Sequence, residues 1–479
     1  MDKHEEHSRK PLLYEQVAGQ IERMIETGVL RPGEKAPSVR NVSRQQQVSM
    51  STAFEAYYHL EIKGLVEARP RSGFYVRVAP RKIEPLVTKS TPAPTASLVK
   101  VHDLVAEILY TARNPDIIPL GTASISEELF PTAKLQKLLF QAMREAPERA
   151  IKYDFSGGMA ELKRAIARRS ADWQGSLTTD DVIITAGCME ALTLALRAVA
   201  RAGDVIAVES PTYFGVLQAI ESLGLKALEI PTSTDTGICL DALERALETE
   251  NIAAVMIVSN FSNPLGNMLS DERKKVLGEM LAKREIPLIE DDIYGDLYFG
   301  TTRPKTVKTF DEKGLVLLCS SFSKTLAPGY RIGWIAPGRF YEKVFRLKQM
   351  SSNGTSNPPQ MAIAAFLQSG KYDKHLRGLR AALSGQLQRG AEAVAKHFPA
   401  GTRISRPVGG TVLWVELPEH IDSLLLYRRA LEENISIVPG LVFSAQDKYR
   451  NFIRLSFGRP FDERIEGAIC RLGEMIEMF

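Results

Sequence analysis

Between residues 182 and 335, short apolar runs alternate with stretches of helical periodicity, and that alternation restricts what the chain can fold into more than any other feature. Val182–Thr185, Val205–Val208, Ala253–Val258, Pro287–Ile289, Val316–Cys319 and Ile332–Ile335 read as strands. Apolar runs of this length with helices between them build a largely parallel sheet covered on both faces. Such a sheet binds its ligand at the carboxyl ends of its strands, and the polar motifs of this sequence sit at those ends.

The first eighty residues follow another pattern. Leu13, Val17, Ile21, Met24 and Ile25 have helical spacing before Gly28 and Arg31-Pro32-Gly33. Ser38 is placed to cap a short helix reaching Gln46, and Ser49 to cap a second one that ends at Gly64. Leu65–Arg69 and Phe74–Val78 read as strands around Pro70-Arg71-Ser72-Gly73, a hairpin with arginines at its tip. A helix, a helix-turn-helix and a β-wing make a winged helix. From Ala79 to Ser97 apolar periodicity is lost and four prolines occur, the composition of a semi-extended tether. The sequence therefore predicts three parts: a winged helix over 1–78, a Pro-rich linker over 79–97 and an α/β domain over 98–479.

Charge separates these parts further. The 479 residues carry a formal charge of only +4, so the molecule as a whole is no polycation. Within 31–82, however, ten Lys and Arg face four Asp and Glu, a local excess suited to a nucleic-acid phosphate backbone. Cys188, Cys239, Cys319 and Cys470 have no CxxC or His-paired spacing, which predicts neither disulfide nor zinc. No window approaches 18 consecutive apolar residues and the first residues are charged, so a soluble cytoplasmic protein with no membrane contact is expected.

The strongest chemical signal is Ser321-Phe322-Ser323-Lys324, running on to Arg331, directly after the strand Val316–Cys319. A lysine entering a half-buried cleft loses its proton more easily through burial and neighbouring cations, here Arg331, and an uncharged amine forms Schiff bases. Ser321, Ser323 and Arg331 supply hydroxyls and a guanidinium fork suited to a phosphate dianion. Gly187-Cys188-Met189, where a strand turns into a helix, adds N-terminal amides for the same phosphate. Asn263 and the run Glu290-Asp291-Asp292-Ile293-Tyr294 follow two further strands. A carboxylate facing a pyridine nitrogen keeps it protonated, while Asn263 and Tyr294 can donate to a phenolate oxygen. Together these groups point to pyridoxal phosphate.

Two resemblances carry the reading further. Pro11-Leu12-Leu13-Tyr14-Glu15-Gln16-Val17, Leu30-Arg31-Pro32-Gly33-Glu34-Lys35-Ala36-Pro37-Ser38-Val39-Arg40, Val48-Ser49 and Gly64-Leu65-Val66-Glu67-Ala68-Arg69 resemble the GntR family of bacterial DNA-binding domains. That resemblance implies major-groove docking by the helix starting at Ser49, with Ser49, Ser51 and Thr52 near bases or phosphates, Arg40 on a phosphate, and Arg69 and Arg71 at the wing. Residues 98–479 resemble fold-type I aminotransferases, with a large, mostly parallel-sheet subdomain and a smaller C-terminal α+β subdomain. On this resemblance Lys324 is the catalytic Schiff-base lysine and Asp291 pairs with the pyridine nitrogen. Asn263 and Tyr294 hold the ring hydroxyl, Tyr213 stacks on the ring, and Tyr153 reaches the phosphate of a neighbouring subunit. Arg454 would grip a substrate α-carboxylate.

The two halves joined by a linker are similar to the MocR subfamily of transcriptional regulators. This implies a homodimer that binds double-stranded operator DNA through its winged helices and senses pyridoxal 5′-phosphate, an amino compound, or both. The alternative is an active aminotransferase acting on an α-amino acid, kept open by Arg454.

Overall fold

The computed structural model describes residues 13–27, 29–30, 34–62, 65–69, 72–76, 83–111 and 114–479. The predicted turn at Gly28 and 31–33, the helix end at Gly64, the wing tip Pro70-Arg71 and the stretch 77–82 lie outside these residues. The chain divides into two compact units, with the break after Lys82.

The first unit holds helices Leu13–Glu26, Val39–Gln45 and Met50–Ile62, then antiparallel strands Val66–Arg69 and Gly73–Val76. Ser38 Oγ accepts from the Asn41 amide at 3.2 Å, and Ser49 Oγ from the Thr52 amide at 3.0 Å, so both predicted caps form. Ala53, Ala56, Tyr57 and Leu60 turn inward onto Val17, Ile21, Val42 and the wing residues Val66, Phe74 and Val76. Tyr57 lies flat on Phe74, with ring centroids 4.5 Å apart, and donates its hydroxyl proton to the Pro37 carbonyl. The stack fastens the wing to the third helix.

A sheet of nine strands forms the centre of the second unit. Its order runs Ser97–Leu98, Lys226–Ser233, Val205–Ser210, Ile252–Ile257, Leu288–Asp291, Val316–Ser321, Gly333–Ala336 and Ile183–Thr185, with Gly237–Ile238 beside Lys226–Ser233. The five strands from Lys226–Ser233 to Val316–Ser321 are mutually parallel, whereas Gly333–Ala336 runs against both its neighbours. All six predicted strands are present within a residue or two. Lys226–Ser233 is a further strand that the pattern does not predict, because Glu229 and Pro231 interrupt its apolar character; Glu229 is nonetheless buried.

A smaller sheet orders Val438–Pro439, Phe452–Ser456, Val412–Glu416, Arg403–Ile404 and Glu84–Pro85. Its last strand corrects the linker expectation. From Ile83 onward the stretch read as a tether belongs to the second unit: Glu84–Pro85 pairs with Arg403–Ile404, Lys89 bridges Ser233, and Ser97–Leu98 forms an edge strand of the large sheet. Prolines at a sheet edge remove no needed donor, so a Pro-rich composition is compatible with edge pairing.

All four cysteines are free thiols. No helix among the described residues is long and apolar enough to cross a membrane.

Replacing Phe74 by alanine removes the stack under the wing at a cost of about 3–5 kcal/mol, comparable with the whole stability of a unit this small. Calorimetry on Phe74→Ala is expected to lose the transition of the first unit while that of the second stays in place.

Candidate functional site

At the carboxyl ends of the central strands lies a cavity of about 260 Å³. Cys188, Met189, Tyr213, Asn263, Asp291, Tyr294, Ser323, Lys324, Arg331 and Arg454 all line it, residues that span 266 positions of sequence. Several are placed by strand ends. Asp291 closes Leu288–Asp291, Ser323 and Lys324 follow Val316–Ser321, and Cys188 opens the helix Cys188–Val199 just after Ile183–Thr185. Arg454 projects from the smaller sheet.

The loops that carry these groups are held by a buried polar network. Asn260 Nδ2 donates to Asp292 Oδ1 at 2.7 Å, Lys274 Nζ donates to Asn260 Oδ1 at 2.7 Å, and Arg303 pairs with Asp292 and, at 2.9 Å, with Asp296. Glu290 accepts from the amides of Val307 and Lys308 at 2.7 and 3.0 Å. Buried charges that are fully partnered fix their neighbours, here Asn263 and Asp291.

Burial dominates the electrostatics. Lys324 is pushed down to about 8, first by desolvation and then by the Arg454 guanidinium, with Asp291 opposing and Arg331 adding a smaller push. Arg454 thus replaces Arg331 as the chief neighbouring cation. Lys324 Nζ donates to the Ala123 carbonyl and lies 5.8 Å from the Tyr294 ring centre. Desolvation raises Asp291 to about 7, against hydrogen bonds from the Ile293 amide at 3.0 Å and the Cys188 thiol at 3.4 Å. Tyr213 and Tyr294 are likewise pushed up by burial.

Arg454 is 1% exposed. Its Nη1 donates to Asn263 Oδ1 at 3.2 Å and its Nη2 to the Gly121 carbonyl, while the buried Nε has no hydrogen-bond partner. Desolvation brings it down to about 10. A buried guanidinium whose hydrogen-bond acceptors are neutral, with one donor orphaned, keeps charge and hydrogen-bonding capacity that an anion can satisfy.

Other predicted residues stand apart from the cavity lining. Gly187, at φ +87°, sits behind Arg331, where an added Cβ would come within 2.4 Å of the guanidinium. Ser321 is buried one step back. Its Oγ accepts from the Ser323 amide at 3.3 Å, and it borders a smaller cavity with Asp292 and Arg303. Tyr153 is 77% exposed, stacked on Phe155 at 5.4 Å, and is not among the residues lining the cavity of its own chain.

In the first unit Arg40 is exposed on Val39–Gln45, and Ser49, Ser51 and Thr52 share hydrogen bonds at the start of Met50–Ile62, Ser49 Oγ lying 2.7 and 2.8 Å from the other two hydroxyl oxygens. The backbone of Arg69 pairs with Gly73. The Arg69 side chain and Arg71 lie outside the described residues.

Sequence reasoning missed the segment Gly121-Thr122-Ala123-Ser124 and the helix residues Ile108 and Leu109, all of which line the cavity. Gly121 is required by packing, since a Cβ there would meet Ser436 Oγ at 2.6 Å and the Ile437 backbone at 2.9 Å. The small-residue run after the apolar Ile118–Pro119 is a signal, but spacing alone cannot tie it to a lysine about two hundred positions away.

Residues 116–472 match the class I and II aminotransferase family, and residues 13–76 match the gntR family of bacterial regulatory proteins. Over 464 residues the chain is 39% identical to the uncharacterized HTH-type transcriptional regulator YdcR of Escherichia coli strain K12, covering 97% of this chain and 99% of that one. The similarly named YjiR of the same organism is 38% identical over the same length, 97% of this chain and 98% of that one. Among solved structures, the α-aminoadipate aminotransferase LysN of Thermus thermophilus, complexed with N-(5′-phosphopyridoxyl)-L-leucine, superposes with a TM-score of 0.73 at 30% identity, covering 79% of this chain and 95% of that one. Fold and cavity thus define a fold-type I aminotransferase unit, joined in one chain to a winged-helix head of the GntR type. With regulators of the same two-part design aligned along nearly its whole length, the chain belongs to the MocR subfamily of GntR-family transcriptional regulators.

Pyridoxal 5′-phosphate is the cofactor of this class, and the residues present fit it. Lys324 is a low-pKa amine for the aldehyde, and Asp291 is the one carboxylate among the cavity-lining residues. Arg331, Ser323 and the first turn of Cys188–Val199 offer donors for a phosphate.

The raised Asp291 makes a stability prediction for the cofactor-free protein. Its folded form keeps a proton between about 4 and 7 that the unfolded chain releases, so the stability it contributes is lost as pH climbs through that window. At pH 8 Asp291→Asn replaces a buried carboxylate by a neutral amide. The variant is expected to melt higher than the parent at pH 8, by about 2–4 kcal/mol at most, with the gap closing toward pH 5. It should also bind pyridoxal phosphate more weakly. Melting curves over pH 5–8 check this, and a gap independent of pH would reject it.

Proposed function

We propose that this chain is a homodimeric transcriptional regulator. Its winged helices would bind two halves of an operator, and its aminotransferase-like unit, loaded with pyridoxal phosphate, would sense an α-amino acid. The carrying observation is Arg454, a buried guanidinium with an orphaned donor beside Lys324, in a chain that also bears a GntR-type head.

The bound cofactor supplies an aldehyde and an electron-withdrawing ring. Around it Lys324 provides an amine that is in good part unprotonated near pH 8, Asp291 holds a proton at the ring nitrogen, and Tyr213 covers a ring face. Arg331 and the amides after Gly187 take the phosphate. Arg454 pairs with the effector carboxylate through two parallel N–H groups, a geometry lysine could not reproduce.

Dimer formation is supported by exposed apolar side chains on the second unit: Phe140, Met143, Ile151, Tyr153, Phe155 and Met350, with Ile151 87% exposed. The Gln349 side chain donates to the Phe155 carbonyl at 2.8 Å, so Met350 belongs to the same patch as the Tyr153–Phe155 stack. An apolar area of this kind is a surface for a second copy, and it would bring Tyr153 to the partner's phosphate.

The experiment is selection of bound duplexes from a random pool by the full-length, pyridoxal phosphate-loaded protein, followed by affinity measurements with each common amino acid. Two related half-sites and at least one amino acid that shifts affinity are expected; no enriched sequence would overturn the reading. Arg454→Ala should abolish that shift while leaving cofactor absorbance intact. Arg40→Ala should weaken all sequences about equally and lower the salt slope by roughly 0.9. The second reading, a working aminotransferase, is favoured by Lys324, Asp291 and Arg454 occurring together, and multiple turnovers with an α-amino acid and a keto acid would establish it.

A further inference from the structure

Residues 83–98 form a strap whose two ends belong to different sheets. Glu84–Pro85 is the edge of the small sheet that carries Arg454, and Ser97–Leu98 is the edge of the large sheet that carries Asp291 and Lys324. Between these ends the strap is held from both sides. On the large-sheet side the Ser90 amide donates to the Thr232 carbonyl at 3.0 Å, the Thr232 amide donates to Ser90 Oγ at 2.8 Å, and Thr234 Oγ1 donates to the Leu86 carbonyl at 2.6 Å.

On the other side a loop at 444–449 clasps it. Gln446 pairs its amide with the Ala93 backbone in both directions, at 2.9 and 3.2 Å, and Lys448 Nζ donates to the Thr91 carbonyl. Tyr449 and Asp447 have φ of +63° and +52°, a backbone region that costs energy without glycine. Tyr449 is held there by Trp414 and Phe452, with ring centres 5.9 and 5.5 Å away, and by its hydroxyl.

That hydroxyl joins the loop to the cofactor wall. Ser210 donates to the buried Glu229, so its oxygen accepts from Tyr449 Oη at 2.9 Å. Ser210 in turn donates its amide to Thr232 Oγ1 at 3.1 Å, on the residue whose backbone pairs with Ser90 of the strap. Glu229 also collects Ser444 Oγ and the Ala445 amide at 2.7 and 2.6 Å, tying the loop to its own strand. Ser210 lies three residues before Tyr213, and the intervening Thr212 amide donates to the Phe443 carbonyl at 2.9 Å. Phe443 in turn packs 5.8 Å from Phe214 and lies 5.5 Å from the Arg454 guanidinium. The anion-binding arginine, the ring-covering tyrosine and the strap therefore meet at one strained loop.

We propose that the loop 444–449 is a clasp through which occupancy of the cofactor cavity sets how tightly residues 86–98 are held, with Tyr449 as the positioning residue that ties the clasp to Ser210. The proposal deepens the regulatory reading above and rests on it, since the strap is the chain's route from the second unit toward the DNA-binding one. A ring seated on Tyr213 restrains residues 210–213, which keeps Ser210 Oγ in place for Tyr449, and an ordered clasp restrains the strap. Such coupling demands only that the ligand favour one of two clasp arrangements.

Hydrogen exchange by mass spectrometry on the full-length dimer tests it, with pyridoxal phosphate as the probe. In the parent, amides of 86–98 are expected to exchange at least threefold more slowly when the cofactor is bound. Tyr449→Phe keeps the packed ring and removes the bond to Ser210. It should bind pyridoxal phosphate within about threefold of the parent by absorbance, yet exchange in 86–98 at nearly equal rates with and without it. Gln446→Ala removes the two bonds to Ala93, loosens the clasp from the strap side and serves if Tyr449→Phe does not fold. Equal exchange in the parent with and without bound cofactor, or an undiminished difference in either folded variant, would overturn the proposal. Absence of any cofactor absorbance in the parent would instead strike the regulatory reading itself.

Discussion

A guanidinium almost without water around it joins the two sheets of the second unit. Arg454 stands on the small sheet, and its donors reach Asn263, after a strand of the large sheet, and Gly121, on a segment that local spacing could not place. Removing an arginine from water is costly unless charge or hydrogen bonds replace the solvent. Here neutral carbonyl oxygens replace it in part, and Nε stays unpaired. The incomplete compensation leaves the site predisposed to an anion.

The same physics governs the rest of the cavity. Lys324 and Asp291 both have their charged forms penalised by burial, so their titrations move toward neutrality from opposite sides. A site built in this way gives up stability when empty and recovers it when a ligand brings matching charge. Rigidity comes from the surrounding strand ends. Glu290, Asp292, Arg303, Lys274 and Asn260 are partnered with one another or with backbone amides, which keeps the buried ends of the strands from collapsing into the cavity.

Where expectation and structure differ, polar residues in buried places are the cause. Lys226–Ser233 does not read as a strand because Glu229 and Pro231 break its pattern, yet Glu229 is stabilised inside by Ser210, Ser444 and a backbone amide contributed from more than two hundred residues away. The Pro-rich stretch reads as a free tether because it lacks a periodic apolar face. Its anchoring comes instead from edge pairing and from the side chains of Gln446 and Lys448, neither of which leaves a mark on the local sequence.

Local sequence determined the winged helix with its serine caps, the apolar strands, and the lysine and carboxylate that follow two of them, each encoded by short-range spacing or by a residue type whose chemistry has few other uses. Arg454 was legible only through the resemblance to fold-type I aminotransferases. Only the tertiary structure decided that Arg454 outranks Arg331 beside Lys324, that Ser321 stands one step behind the cavity, that Gly121–Ser124 closes it, and that the strap is clasped. Those outcomes depend on contacts between residues far apart in the chain, 353 positions in the case of Ala93 and Gln446, and on how far each group is withdrawn from water, a quantity that no stretch of sequence carries by itself.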